Sequence, residues 1–154
     1  MEIIVESGAT KTDWRILEES GAVESVETEG INPFHQSYEE IYSIVSHPQL
    51  VDIAKKVSKV SFYGAGCNYP DKVARVDKVL RQVFLQSEIF VTHDLLAAAR
   101  ACTGGKAGIA CILGTGSNSC FFDGDKILET SPSLGYILGD EGSGAYLGKK
   151  LIQD

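Results

Sequence analysis

The sequence lacks any C-x-x-C pair: its four cysteines, Cys67, Cys102, Cys111 and Cys120, are scattered along the chain. That spacing argues against a zinc knuckle or a dithiol redox motif, and free thiols in a cytoplasmic protein are the expectation. Positive charge is also scarce, with 14 Lys and Arg against 21 Asp and Glu, for a formal net charge of -7. No basic patch stands out, which argues against nucleic acid as the main partner. The apolar runs are far shorter than a membrane span, so no membrane association is expected. The chain opens directly on a strand pattern, and no signal peptide is expected. Low-complexity stretches and linker-like segments are lacking too. What is there is 154 residues, 44% hydrophobic and 23% charged, enough for a globular domain with a real core.

The stretch Cys111–Cys120, CILGTGSNSC, organises the rest. Ile109–Leu113 is nearly all apolar, as a strand covered on both faces should be. Gly114-Thr115-Gly116-Ser117-Asn118 then offers two glycines, hydroxyl and amide side chains, and a run of backbone N–H groups. Such a turn can wrap an anion, because the N–H dipoles converge and glycine lets a phosphate approach the backbone. Taken alone, an ordinary hairpin turn explains it as well. It is not alone, because Ile3–Asp13, IIVESGATKTD, repeats the plan of apolar strand, Gly/Thr/Lys turn and alternating strand. Each copy continues through a second tight turn, Ser20-Gly21 or Asp123-Gly124-Asp125, into a third strand. A repeated strand–turn–strand unit suggests two glycine hairpins gripping one polyphosphate, the logic of a two-lobed phosphotransferase.

Between the two copies the patterns read as elements in order. Met1–Glu6, Thr12–Glu19 and Ala22–Glu29 are strands, the third an edge strand by its Glu residues. Ser37–Ser46 is helical, interrupted at Pro48 and resumed over Leu50–Val57. Val60–Tyr63 is a strand ending in Gly64-Ala65-Gly66-Cys67. Pro70–Leu85 carries an apolar stripe of Val73, Val76, Val79, Leu80 and Val83, and is the clearest helix. Glu88–Val91 is a strand running into Asp94, and Leu95–Cys102 a helix stopped by Gly104-Gly105. The order implies an α/β fold with a mixed five-stranded sheet, three strands antiparallel and two parallel, flanked by helices. Ligands in such sheets sit at the carboxyl ends of the parallel strands, which here carry Gly66-Cys67 and Asp94.

Several residues could carry chemistry. Asp94, between a strand and a helix, serves equally as an N-cap or as a base that orients a hydroxyl. Glu6, before the first glycine turn, could hold Mg²⁺ directly or through water, or be a surface Glu. Lys11 could touch a phosphate or lie solvated. The first turn has neither Walker A nor G-x-G-x-x-G spacing. Asp140-Glu141-Gly142-Ser143 reads as a helix cap, or as a carboxylate aimed beside the second turn.

The segments ESGATKTDW, GINP, YGAGC, VTHDLLAAARA, ILGTGSNS and GYILGDEGSGAYLG stand in the order found in the N-acetylglucosamine kinase family. The chain resembles the N-terminal half of that family. The family belongs to the benzoyl-CoA reductase activator-type ATPases of the actin and hexokinase superfamily. The resemblance implies a ribonuclease H-like, actin-type ATPase lobe over residues 1–106 and the start of a second lobe over 107–154. It implies ATP-dependent phosphorylation of an amino sugar, N-acetylglucosamine or glucosamine, at its 6-hydroxyl, with Mg²⁺. Gly8, Ala9, Thr10 and Lys11 would form the first phosphate motif, and Gly114, Thr115 and Gly116 the second. Asp94 would be the catalytic base and Glu6 the metal residue, where many members have Asp. Asn32, Gly66, Cys67, Ser117, Asn118, Gly135 and Asp140 would lie near the sugar. Members are roughly twice as long, so a homodimer or a missing second lobe would complete the site. Two other readings stay open: the activator ATPase of a radical dehydratase, with an iron–sulfur cluster shared between subunits, and a non-catalytic sugar- or nucleotide-sensing module.

Overall fold

The computed structural model describes residues 1–131 and 134–153. The chain divides into two compact units, Met1–Asp94 and Leu95–Asp154.

The first unit is built on a five-stranded sheet. Strands β1 (Glu2–Ser7), β2 (Lys11–Leu17), β3 (Val23–Glu29), β4 (Lys59–Gly64) and β5 (Glu88–His93) lie in the order β3-β2-β1-β4-β5. The first three form an antiparallel meander, and β4 and β5 add parallel to β1. The glutamates of β3 mark an edge strand, as their alternation predicts. Period-two alternation decides the faces. Ile3, Val5, Trp14, Ile16, Val60, Phe62 and Ile89 are buried, while Glu2, Ile4, Glu6 and Arg15 stay exposed. Helices α1 (Tyr38–Val45), α2 (Pro48–Ile53) and α3 (Pro70–Val83) join that core through Ile41, Val45, Leu50, Val76, Val79 and Leu80. Trp14 and Phe62 meet edge-to-face at its centre, 6.5 Å between ring centroids.

Local signals set the helix ends. Ser37 and Glu40 form a reciprocal capping box at the start of α1. Pro48 begins α2, where its missing N–H has no partner to lose, and a 3-10 turn, Ala54–Lys56, follows. Pro70 opens α3 in the same way.

The second unit contains α4 (Asp94–Thr103), the antiparallel sheet β6 (Gly108–Leu113), β7 (Ser117–Phe122) and β8 (Ile127–Thr130), the single turn α5 (Gly135–Leu138), and α6 (Gly144–Gln153). Its core is Leu95, Ala99, Ala110, Cys120 and Phe122. The compact units meet at Asp94, after which α4 sends Leu95 and Ala99 into this core.

One expectation is corrected. Strand β6 is covered on one face, not two: Ala110 is buried, while Ile109 is 74% and Leu113 68% exposed. The run of apolar residues reflects a need for cover on both faces, and a three-stranded sheet with one packed face meets half of it. Leu147, Leu151 and Ile152 of α6 are exposed likewise.

Candidate functional site

In the first unit the carboxyl ends of the parallel strands stop level with one another. Ser7 pairs with Gly64, and Gly64 with His93, so Gly8, Ala65 and Asp94 begin the next step side by side. The Ala65 N–H donates to the Ser7 carbonyl at 2.8 Å, which ties two of these ends together. This rim gathers Glu6, the Gly8–Lys11 turn, Gly66-Cys67 and Asp94 from segments far apart in sequence.

A buried polar cluster fixes the first turn from below. Ser7 and Thr12 are fully buried, and their hydroxyls lie 2.6 Å apart. Ser7 Oγ accepts the Ile31 N–H at 2.9 Å, and Thr12 Oγ1 donates to the Glu29 carbonyl at 2.9 Å. Gly30 lies between these contacts. A Cβ there would stand 2.6 Å from the Gly8 oxygen and 2.7 Å from the Ala9 carbonyl group, so only glycine lets the 30-loop touch the turn.

That contact brings Asn32 to the rim. Its Oδ1 accepts the Phe34 N–H at 3.0 Å, and its N–H donates to Gln36 Oε1 at 2.7 Å. Gln36 Nε2 reaches back to the Gly30 carbonyl, and Arg75 Nη1 donates to the carbonyls of Pro33 and Gln36. Gly66, at φ 79, lies against the Asn32 carboxamide: a Cβ on it would meet Oδ1 at 2.6 Å. Asn32, Gly66 and Cys67, singled out separately from the sequence, are therefore neighbours.

The electrostatics of the rim are those of crowded carboxylates. Partial burial, then the neighbouring Asp94 and Asp13, raise the Glu6 carboxyl above its usual range. Asp13 faces Glu6 directly across β1 and β2. Burial, with a smaller push from Asp94, drives the Cys67 thiol up to about 12. His93 is lowered by burial against an upward pull from Asp94. A divalent cation would relieve this repulsion, but among the described residues no group of three or more His, Cys, Asp or Glu side chains is placed to hold one, so any ion here would rest on one or two carboxylates and on ligand oxygens. Lys11 points elsewhere: its Nζ pairs with Glu27 across the sheet at 3.0 Å, both side chains exposed.

In the second unit the turn between β6 and β7 is docked on α6. The N–H groups of Gly144 and Ala145 donate to the carbonyls of Gly114 and Thr115 at 2.8 and 3.3 Å. Asp140 is the only non-glycine residue at positive φ among those described, at 61°. That conformation sets its carboxylate against the turn: the Ser117 N–H points at Oδ1 from 3.4 Å, and a Cβ on Gly116 would stand 3.1 Å from Oδ2. Ser143, fully buried, caps α6 by accepting the Tyr146 N–H at 3.1 Å. The cap expected of the Asp140–Ser143 segment is supplied by Ser143, while Asp140 lies against the turn. Ser117, Asn118 and Asp140 line an open cavity of about 340 Å³, together with Cys111, Leu113 and Glu141. Gly135 is not among its lining residues. Thr115 sits at the turn's tip.

Sequence reasoning passes over Ser7, Thr12, Gln36 and Arg75. Ser7 and Thr12 carried a signal, because polar residues at the inward step of an alternating strand are buried polar groups in waiting. Arg75 gives none, since its targets lie about forty residues upstream.

No protein-family model matches the chain, and no curated protein does. Solved structures do. A candidate N-acetylglucosamine kinase from Porphyromonas gingivalis is 46% identical, with a TM-score of 0.93 over 99% of this chain and 55% of that one. A second, from Chromobacterium violaceum, is 21% identical with a TM-score of 0.76, covering 99% of this chain and 55% of its own. A ROK hexokinase from Thermus thermophilus is 13% identical with a TM-score of 0.58, over 86% of this chain and 49% of that one. The last two likenesses bear on the fold alone. The chain spans about half the length of these structures.

Proposed function

We propose that this chain, which belongs to the N-acetylglucosamine kinase family and has the actin-type ATPase fold, carries phosphate- and acceptor-facing residues of an ATP-dependent amino-sugar kinase. The observation that carries the reading is the level rim of β1, β4 and β5, where a glycine turn and the carboxylates of Glu6 and Asp94 come together.

In this reading Asp94 accepts the proton of the sugar 6-hydroxyl as that oxygen bonds to the γ-phosphorus of ATP. The bond from the γ-phosphorus to the bridging oxygen breaks, and ADP leaves. A base so placed contributes about 10²–10⁴-fold to the rate. Backbone N–H groups of Ala9 and Thr10 in one turn, and of Thr115 and Gly116 in the other, bind phosphate oxygens, while Gly8 and Gly114, whose N–H groups bond to the Lys11 and Gly116 carbonyls, let the phosphates approach the backbone. Lys11 joins them by leaving Glu27, a small loss because exposed pairs contribute only about 0–1 kcal/mol. Mg²⁺, when bound, supplies charge neutralisation on the transferred group, and Glu6 is the residue that would hold it, directly or through water. For the sugar, Asn32, Gly66 and Cys67 are the residues proposed in the first unit, and Ser117, Asn118, Gly135 and Asp140 are proposed separately in the second. Residues 1–106 would act as one lobe and 107–154 as the start of another, completed by a further lobe or a second copy.

The test is calorimetry of the chain with N-acetylglucosamine, glucosamine and MgATP, followed by a sugar-dependent ADP-release assay. Binding without turnover is expected from these 154 residues by themselves. Absence of binding to either sugar and to MgATP would sink the reading. Robust sugar-dependent ADP release, abolished in Asp94→Asn, would show that this half suffices.

A further inference from the structure

We propose that Glu27 is a positioning residue for the first phosphate turn: it holds the Lys11 ammonium on the edge strand while the turn is empty, and releases it when a polyphosphate arrives. The proposal rests on the kinase reading and adds a device that sets how tightly its phosphate site binds.

Lys11 closes the first glycine turn, its carbonyl accepting the Gly8 N–H at 3.0 Å. Two glutamates of β3 share its face of the sheet. Glu29 stands directly opposite Lys11, and Glu27 stands opposite Asp13, one step further from the turn. Opposed residues share a face, alternate residues along a strand do too, and a long side chain reaches the diagonal neighbour. The ammonium is bonded to that diagonal neighbour, with Nζ 3.0 Å from Glu27 Oε2. The bond draws the charge across the sheet toward its edge. Glu6, Asp13 and Glu27 face one another in a row over three adjacent strands. Asp13 in the middle is bonded to Arg15 Nη2 at 2.7 Å. A hydrogen bond and the charge of Glu27, with smaller pulls from Asp13 and Glu6, raise the Lys11 ammonium above its ordinary value.

Both partners are exposed, so the pair is weak, and a latch has to be weak. A pair of this kind favours the bonded lysine over the free one by about one- to fivefold. A ligand that needs Lys11 must first draw it from the bonded population. Its apparent affinity is then about two- to sixfold lower than for a lysine already free. Glu27 thereby lowers the affinity of every anion that recruits Lys11, and leaves untouched a ligand that binds the turn amides alone.

The experiment is calorimetry of the full chain with magnesium tripolyphosphate. It compares wild type, Glu27→Gln, Glu29→Gln and the double variant, each with and without Lys11→Gln. Glu27→Gln is expected to bind about two- to sixfold tighter. Glu29→Gln removes the same charge from the same strand and should gain less. With Lys11→Gln in place, the gain from Glu27→Gln should shrink to that of Glu29→Gln, because only general charge relief is left. The double variant covers a lysine that moves from one glutamate to the other, and should gain at least as much as Glu27→Gln. The Tm of Glu27→Gln, read from Trp14 fluorescence, should stay at the wild-type value, which separates a latch from a structural strut. If Glu27→Gln and the double variant bind like wild type, or gain as much without Lys11 as with it, the latch is wrong and the phosphate turn stands. If the wild-type chain binds no tripolyphosphate, the latch falls together with the turn it serves.

Discussion

Gly30 and Gly8 sit on either side of one contact, and alanine at the two positions should do opposite things. At Gly30 the new methyl would lie 2.6–2.7 Å from backbone atoms of Gly8 and Ala9. Neither side yields easily: the turn is held by the Gly8 N–H to the Lys11 carbonyl at 3.0 Å, and the loop by the Gly30 N–H to the Thr10 carbonyl at 3.1 Å. Overpacking of this kind costs about 1–3 kcal/mol, partly offset by about 0.4–1 kcal/mol from the stiffer unfolded chain. A net loss of about 1–2 kcal/mol lowers the Tm of a body the size of Met1–Asp94 by roughly 5–15 °C. At Gly8 the nearest atom to a new methyl is the Lys11 oxygen at 3.8 Å, an ordinary contact. Gly8→Ala should therefore keep its Tm and lose affinity for magnesium tripolyphosphate and MgATP, because the methyl occupies the space through which a phosphate reaches the backbone. Thermal unfolding followed by the fluorescence of Trp14, the only tryptophan, reads the first effect; a phosphate titration reads the second. Unchanged Tm in Gly30→Ala would refute the packing argument. Full phosphate affinity in Gly8→Ala would reduce the turn to a plain hairpin.

Three further outcomes are expected. Asp94→Asn, in a catalytically active form of the protein, should lower kcat about 10²–10⁴-fold while sugar binding survives; unchanged turnover in steady-state kinetics removes Asp94 from the mechanism. Gly116→Val should press on the Asp140 carboxylate, 3.1 Å from the new Cβ, and weaken nucleotide binding with the fold intact, as titration and circular dichroism would show. Thiol titration at pH 8 should modify exposed Cys102 and Cys111 quickly and buried Cys67 and Cys120 slowly, with all four reacting in denaturant. Because folding holds the Cys67 thiol at about 12, above its unfolded value, its contribution to stability is complete below about pH 8.5 and is lost as pH rises toward 12; a Cys67→Ala variant should show less alkaline destabilisation than wild type.

The meander, the parallel strands and α3 are legible in the sequence because each buries one face. Ile3 and Val5, Trp14 and Ile16, and the stripe of Val76, Val79 and Leu80 announce that face by their period. Strand β6 misleads for the same reason, since Ile109 and Leu113 record where apolar surface wants cover and say nothing of what supplies it. Asn32, Gly66 and Cys67 could be named singly from the sequence. Their adjacency could not, because it follows from the fit of Gly30 against the first turn and of Gly66 against a carboxamide. The clamp of Arg75 on the 30-loop is invisible to any local pattern, as it joins a helix to carbonyls that any residue could present.

The hydroxyls of Ser7 and Thr12 form one buried relay. The Ile31 N–H gives to Ser7, the two hydroxyls bond to each other, Ser7 also reaches the Ile31 carbonyl at 3.2 Å, and Thr12 gives to the Glu29 carbonyl, so the relay starts and ends on the same three-residue stretch of backbone. Remove either hydroxyl and the other is stranded in a dry interior, along with a backbone group that had relied on it. Remove both, with apolar side chains of matching size in their place, and the stranded hydroxyls vanish together. The two positions are therefore energetically one: their single substitutions should sum to more than the double, and sequence drift at this corner should proceed by paired exchange.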